Sequence, residues 1–155
     1  NNRYVNDEKV TQTVAQMFSR IGIDTKVEAM PMSVYSGRAS RGDFSVGLLG
    51  WAAQTGEASS PLRALLGCPD PKTGFGSANR GRYCNPHGDE LVKKALQTLD
   101  DASRQKLLQE AAETAISDVG IVPLHHQVAT WAARKGITYV GRTDESTNAY
   151  GFRPQ

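Results

Sequence analysis

The chain has 155 residues, of which 39% are hydrophobic and 22% charged, and its formal net charge is +2. This length suits one domain, spanning residues 1–155, with a hydrophobic core of its own, and no apolar stretch is long enough to span a bilayer. So small a net charge argues against binding to nucleic acid or to an anionic membrane surface. The chain begins at Asn1 rather than Met, so we expect it to be part of a longer protein.

The N-terminal third predicts helices that alternate with strands. Apolar residues at helical spacing predict a first helix that ends at Gly22. Residues 25–30 alternate as a half-buried strand does, 32–41 predict a short helix, and 44–49 predict a strand covered on both faces. The inward face of the first helix is predicted to hold Val10, Val14, Met17, Phe18 and Ile21. This order of elements is typical of an α/β layer.

The middle of the chain is a long irregular segment followed by two helices. Residues 50–84 predict a loop with one helical turn at 61–66, and a loop of this size is usually functional or mobile. Asn85 and Pro86 open the next helix, and Asp100 or its neighbour opens the one after. The predicted inward residues of this pair are Leu91, Val92, Ala95, Leu96, Leu99, Leu107, Leu108, Ala111, Ala112, Ala115 and Ile116.

Beyond Gly120 the apolar runs are short and predict strands. Residues 121–124 and 128–133 are two such runs, with His125 and His126 between them. Residues 137–140 predict a last short strand. The rest of the chain predicts no regular structure.

The segment around Trp51 is the strongest candidate for a binding site. The apolar run 44–49 leads to this tryptophan, and a loop of Gly, Ala and small polar residues follows it. Such a strand-to-loop transition is where α/β proteins place a ligand at the carboxyl edge of a sheet. The alternative is that Trp51 closes the core and the loop is a plain connector.

Two cysteines bracket a loop that is rich in Pro and Gly. Cys68 and Cys84 flank a segment with few core-forming residues, so a crosslink between them would stabilise it by about 3 kcal/mol in the chain-entropy model. A disulfide implies an oxidising compartment. Two free buried thiols are the alternative.

The sequence predicts no catalytic site and only a weak metal site. There is no G-x-S-x-G nucleophile elbow, and neither a nucleophile with a base nor a pair of carboxylates is brought together. His87, His125, His126 and the two cysteines offer ligands for zinc or nickel, but adjacent histidines in a strand point to opposite faces. We therefore do not expect an enzyme, and we assign no metal ligand.

The order of several motifs resembles the C-terminal lobe of the extracytoplasmic solute-binding proteins of ABC importers. The similar group is the dipeptide-, oligopeptide- and nickel-binding family, known as family 5. The motifs that carry the resemblance are Gly50-Trp51 after a hydrophobic strand, Pro61 to Leu66, Asn79 with Tyr83-Cys84-Asn85-Pro86 and Asp89-Glu90-Leu91, and Ile121-Val122-Pro123-Leu124. The resemblance extends from Asp7 to about Tyr139.

The resemblance implies a type II periplasmic-binding-protein fold, with a mixed sheet flanked by helices. It further implies a periplasmic or extracytoplasmic receptor, lipid-anchored in some members, that delivers a peptide or related solute to a membrane permease. The ligand would lie between this lobe and an N-terminal lobe outside the chain, and hinge closure would bury it without any cofactor. We expect the surface that meets the missing lobe to be apolar and to favour self-association.

The resemblance also assigns ligand-binding roles. Trp51 would form a wall of the cleft, and the loop through Thr55 and Glu57 would line it. Peptide-binding members carry an Asp three residues after this tryptophan that pairs with the ligand's amino terminus, and here that position is Gln54, a neutral amide. Glu57 is the candidate replacement carboxylate.

Four further residues are candidate ligand contacts. Arg80 and Arg82 are candidates for a ligand carboxylate, with surface or packing roles as the alternative. His125 and His126 occupy positions where the resembling proteins place cleft-facing tyrosines. Two other functions remain open, a receptor lobe for a metal or metal chelate and a stand-alone interaction domain.

Overall fold

The computed structural model describes residues 4–53, 55–142 and 144–155. Within them, helices dominate and the only sheet has two antiparallel strands. In chain order the elements are α1 (Asp7–Arg20), α2 (Met32–Arg41), α3 (Ser59–Pro61) continued by a π-helical turn (Leu62–Leu66), α4 (Pro86–Gln97), α5 (Asp101–Ser117), β1 (Ile137–Tyr139), a 3-10 turn (Ala149–Gly151) and β2 (Phe152–Pro154). None of the helices in the described ranges has the length and apolar character needed to cross a membrane.

Side-chain caps fix the starts of the two long helices α4 and α5. The Asn85 carboxamide oxygen accepts hydrogen bonds from the backbone N–H groups of His87, at 3.0 Å, and Gly88, at 3.2 Å. Asp100 accepts one from the backbone N–H of Ser103 at 2.9 Å. Each cap satisfies a donor that the first helical turn leaves without a partner. Both predicted helix starts are confirmed.

The core lies where α4 and α5 pack against the helical turn 59–66. Phe75, from the loop between this turn and α4, completes it. The buried side chains are Leu62, Phe75, Leu91, Val92, Ala95, Leu108 and Ala111. Ala95 is fully buried, so the two helices approach closely at a small residue.

Five residues predicted to face inward are exposed instead. Met17 is 55% exposed and Ile21 71%, because α1 buries only Asp7 and Ala15 and its predicted apolar face is largely uncovered in the described residues. Leu96 is 42% exposed, Ile116 51% and Leu99 96%. Helix α4 ends at Gln97, so Leu99 lies in the connector and is not carried onto the inner face. Leu96 and Ile116 each follow a buried alanine by one position, a rotation of about 100° around the helix, which turns them away from the α4–α5 contact.

Four of the five predicted strands are not formed. Residues 25–30, 44–49, 121–124 and 128–133 have no strand assignment, whereas the prediction for 137–140 is confirmed by β1, which pairs with β2. A strand exists only when a neighbouring backbone accepts and donates its hydrogen bonds. No ladder joins the four segments to another strand in the described ranges, so they lack that partner.

The unpaired segments leave much apolar surface in contact with solvent. Val46 is 69% exposed, Val122 64% and Val128 77%. The total accessible surface is 11227 Å², whereas a compact monomer of 16.8 kDa exposes about 7,700 Å². The chain thus buries its surface well around α4 and α5 and poorly along these segments.

Candidate ligand-binding site

Two tyrosines tether the segment that leads into Trp51. The Tyr35 hydroxyl donates a hydrogen bond to the Leu48 carbonyl at 2.9 Å, and the Tyr4 hydroxyl donates one to the Gly50 carbonyl at 2.9 Å. These carbonyls are two residues apart, so in an extended chain they point to the same side. The tethers fix the backbone immediately before Trp51, whose side chain is 46% exposed.

Glycine at position 50 is required by the Tyr4 ring. A Cβ atom built there would lie 2.6 Å from Tyr4 Cε1 and 2.8 Å from its Cζ. Real carbon atoms do not approach so closely, and any larger side chain at position 50 would displace the ring and its hydrogen bond. The Gly-Trp pair of the sequence motif thus combines a close contact with an exposed aromatic.

The far end of the loop is tethered to α5 by an ion pair. Nη2 of Arg104 lies 2.8 Å from Oε1 and 2.6 Å from Oε2 of Glu57. The hydrogen bond from Arg104 and a weaker one from Ser59 lower the pKa of the Glu57 carboxyl below its ordinary value of 4.5. Glu57 is therefore ionised at neutral pH and already paired with Arg104. Its contact with a ligand stays a prediction.

Between these tethers the loop side chains face solvent. Ala52, Ala53, Thr55 and Gly56 are all exposed. Gln54, the predicted partner for a ligand amine, lies outside the described residues. The loop is thus held at both ends, and the described residues between the tethers are accessible.

Cys68 and Cys84 form a disulfide, with Cα atoms 4.4 Å apart, as predicted. The buried Asn79 side chain reinforces the closure. Its amide nitrogen donates to the Gly67 carbonyl at 2.9 Å and to the Tyr83 carbonyl at 2.6 Å. One side chain therefore ties together the residues immediately before the two cysteines.

The remaining residues of the Asn-Tyr-Asn-Pro-Asp motif join this loop to α4 and α5. Asp89, in the first turn of α4, accepts the backbone N–H of Cys68 at 3.1 Å, and burial raises the pKa of its carboxyl. Beyond α5, Asp118 accepts the Tyr83 hydroxyl and the Asn85 amide, each at 2.7 Å. The pKa of Asp118 is lowered by these bonds, with that from Tyr83 first. The motif thus has a structural role: it holds the disulfide loop against α4 and the end of α5.

Arg80 and Arg82 have different environments. The exposed Arg82 donates from Nη2 to the carbonyl of Arg41, the last residue of α2, at 3.0 Å. Arg80 is half-buried and makes no ion pair within the described ranges. Arg82 therefore contacts the end of α2, and a ligand contact by either arginine stays a prediction.

His125 and His126 both lie exposed in the unpaired segment that follows α5. The described residues hold no group of three or more His, Cys, Asp or Glu side chains arranged to bind a metal ion. His87 lies 3.6 Å from Glu110 of α5, and both cysteines are in the disulfide. The contact of either His125 or His126 with a ligand remains untested.

Three residues important to the site carry no signal in the sequence. Tyr4, Tyr35 and Arg104 are each separated from their partners by 13 to 47 positions. Tyr35, on a predicted helix, is typical of a packing residue, Tyr4 precedes the first helix, and Arg104 on α5 is typical of a solvated face. Only the fold brings them to the Trp51 loop.

No protein-family model matches the chain, but curated proteins do. It is 28% identical over 132 residues to di/tripeptide-binding protein 1 of Pseudomonas aeruginosa, covering 85% of this chain and 24% of that protein. It is 26% identical over 122 residues to the periplasmic oligopeptide-binding protein OppA of Salmonella typhimurium, covering 78% and 21%. It is 24% identical over 123 residues to heme-binding protein A of Haemophilus influenzae, covering 79% and 22%. The chain spans about a quarter of the length of these relatives.

A solved structure has the same fold. The structure of HbpA2 from Haemophilus parasuis superposes with a TM-score of 0.77 at 22% identity, covering 97% of this chain and 29% of that one. The predicted periplasmic-binding-protein-like fold is confirmed by this match. The four segments without strand partners are thus compatible with that fold, of which the chain represents less than a third.

Proposed function

We propose that this chain, a homologue of the dipeptide-, oligopeptide- and heme-binding members of the extracytoplasmic solute-binding family, is part of the C-terminal lobe of such a receptor. In this role it supplies one wall of a ligand cleft and has no catalytic activity. The solute is a peptide or a related small molecule, delivered to the permease of an ABC importer in the periplasm.

The exposed Trp51 on a tethered segment is the observation that carries this proposal. A tryptophan that served only the core would be buried, because its indole gains more from burial than from contact with water. Here the backbone before the indole is fixed by two hydrogen bonds while 46% of the side chain stays accessible. Fixing an aromatic before binding reduces the entropy that a ligand must overcome to order it.

The exposed apolar surface supports the lobe assignment. The accessible surface of the chain is roughly half as large again as that of a compact monomer of the same mass. Many large apolar side chains lie on this surface, more than a stand-alone domain normally exposes. Strand partners from the rest of the receptor would cover it. A self-contained interaction domain would not explain why four apolar segments lack hydrogen-bonded strand partners in the described residues.

Calorimetric titration of the full-length protein that contains this chain tests the proposal. Short peptides and hemin are the probes, since the relatives are named for peptides and heme. We expect Trp51→Ala to weaken binding of the ligand that is accepted by tenfold or more, with little change in the free energy of unfolding. Tyr150→Ala is the control, because Tyr150 is an aromatic that is 69% exposed outside the Trp51 loop. Equal binding by the Trp51 variant and the parent would remove the main support for the site.

A further inference from the structure

Arg104 lies on the face of α5 that packs into the core. It precedes Leu108 and Ala111 at the helical spacing that places all three residues on one side of the helix. Leu108 and Ala111 are buried in the contact between α4 and α5. The Arg104 side chain, which is 27% exposed, therefore extends from a tightly packed part of the molecule at the edge of the core.

Glu57 orients the Arg104 guanidinium. Both oxygens of the Glu57 carboxylate lie within 2.8 Å of Nη2 of Arg104. The Nε atom of Arg104 is buried and has no hydrogen-bond partner among the described residues. Glu57 is therefore the partner that fixes the direction of this guanidinium.

A short hydrogen-bonded turn connects Glu57 to the backbone beside Trp51. The Gly56 N–H donates to the Ala53 carbonyl at 2.9 Å, and Gly56 has a φ of +70°, a left-handed conformation that glycine adopts without strain. Ala53 lies shortly after Trp51, and Gly56 lies immediately before Glu57. Few backbone bonds therefore separate Trp51 from the residue that Arg104 holds.

Beyond Glu57 the chain enters the core at once. Ser59 is buried and begins the helical turn 59–66, in which the Leu62 N–H donates to the Ala58 carbonyl at 3.0 Å. Leu62 belongs to the hydrophobic cluster. The ion pair thus acts at the point where the Trp51 loop leaves the core, and it constrains the direction in which the loop leaves.

The apparent affinity of a ligand is reduced when its binding site adopts the binding conformation for only a fraction of the time. A contact that favours this conformation raises the affinity without touching the ligand. We propose, on the basis of the receptor function above, that Arg104 is a positioning residue: it holds Glu57, and with it the Trp51 loop, in the conformation that binds the ligand. Glu57 then anchors the loop and does not contact the ligand directly.

A double-mutant cycle in the full-length protein tests this role. The probes are trialanine and hemin, and the cycle uses the one that binds the parent. Arg104→Gln should raise Kd by about fivefold, which is the limit set by the free energy of a partly exposed ion pair. Glu57→Gln should have a similar effect. The double variant should bind no more weakly than the weaker single variant, because both substitutions break the same contact.

Two further variants separate positioning from general destabilisation. Arg142→Gln removes the arginine of another partly exposed ion pair, formed with Asp144, and should change Kd by less than about twofold. Arg104→Lys keeps a positive charge that can reach Glu57, so it should bind the ligand more tightly than Arg104→Gln.

A fluorine label reports on the Trp51 indole in the absence of ligand. The full-length protein is labelled with fluorotryptophan, and the Trp51→Phe variant identifies the Trp51 resonance by its loss. Arg104→Gln should shift or broaden this resonance, because the loop is no longer held in one conformation. Arg142→Gln should leave it unchanged.

Four results would overturn the inference. If Glu57→Gln weakens binding and Arg104→Gln does not, Glu57 contacts the ligand directly and the receptor function stands. If the two single effects add in the double variant, the residues act separately and not through their ion pair. If the Trp51 resonance is the same in Arg104→Gln and the parent, the loop does not depend on this contact. If neither trialanine nor hemin binds, the proposed function fails and the inference fails with it.

Discussion

The region from 59 to 120 and the segments on either side of it are built differently. The first contains the disulfide, the Asn79 hydrogen bonds, the caps of α4 and α5 and the hydrophobic core. The second contains residues 21–31, 43–53 and 121–136, which have few backbone hydrogen bonds and many exposed apolar side chains. The difference shows that one part of the chain is stabilised by its own contacts, whereas the other makes few contacts with the rest of the described residues.

The largest expected effect of a single substitution is in the core. Leu108 is 5% exposed and belongs to the cluster between α4 and α5. Leu108→Ala should lower the free energy of unfolding by about 3 kcal/mol through lost burial and the cavity left behind. Urea unfolding followed by circular dichroism measures this. Leu99→Ala, at a position 96% exposed, is the control and should change stability by less than about 0.5 kcal/mol.

Removal of the disulfide should have a slightly smaller effect. The Cys68→Ser, Cys84→Ser double variant loses the constraint on the unfolded chain and should be less stable by about 3 kcal/mol or somewhat less, since Asn79 still holds the two ends of the loop together. A reductant should destabilise the parent by the same amount and leave the double variant unaffected. A parent indifferent to reductant would mean that the crosslink contributes little to this region.

The ion pair between Glu57 and Arg104 connects the two regions and predicts a pH dependence. The lowered pKa of Glu57 means that the ionised carboxylate stabilises the fold above its unfolded pKa, and that this stability is lost as pH falls through the lower folded value. Glu57→Gln should therefore be less stable than the parent at neutral pH, by up to about 1 kcal/mol for so accessible a pair. The stabilities of the two proteins should converge as pH falls below the folded pKa of Glu57. A constant difference across this range would show that the loss is one of packing and not of charge.

The smallest effect is expected in the exposed segments. Val128→Ser, at a position 77% exposed, should alter the stability of this chain by less than about 0.5 kcal/mol. In the full-length protein the same substitution should cost about 1–3 kcal/mol if the rest of the receptor covers this side chain. Thermal or urea unfolding of both proteins provides the comparison. Equal effects in the two would argue against an apolar contact at residue 128.

The sequence was most informative where structure is set by local chemistry. The caps at Asn85 and Asp100 and the inward positions Leu91 and Leu108 follow from residue type and helical spacing, and all are confirmed. The disulfide was also predictable, because a loop poor in apolar residues gains stability from a crosslink.

Long-range pairing limited the rest of the prediction. Alternation in 25–30 indicates a side-chain pattern suited to a strand but cannot supply the neighbouring backbone that a strand requires. For the same reason, Tyr4, Tyr35 and Arg104 could not be connected to the Trp51 loop in advance. Trp51 itself stands out as a candidate in the sequence because a small polar loop follows it, which is a local signal.

The tethering of the Trp51 loop at its ends has a consequence for how this candidate binding surface can change in sequence. Gly50 and Glu57 are fixed by Tyr4 and Arg104, while Ala52 and Thr55 contribute nothing to the core. Substitutions at those intervening positions can accumulate with little penalty to folding, so natural drift or a randomised library has room there to explore new ligands. The hydrogen bonds that fix the backbone beside the Trp51 indole thus leave the adjacent exposed positions free to change in sequence.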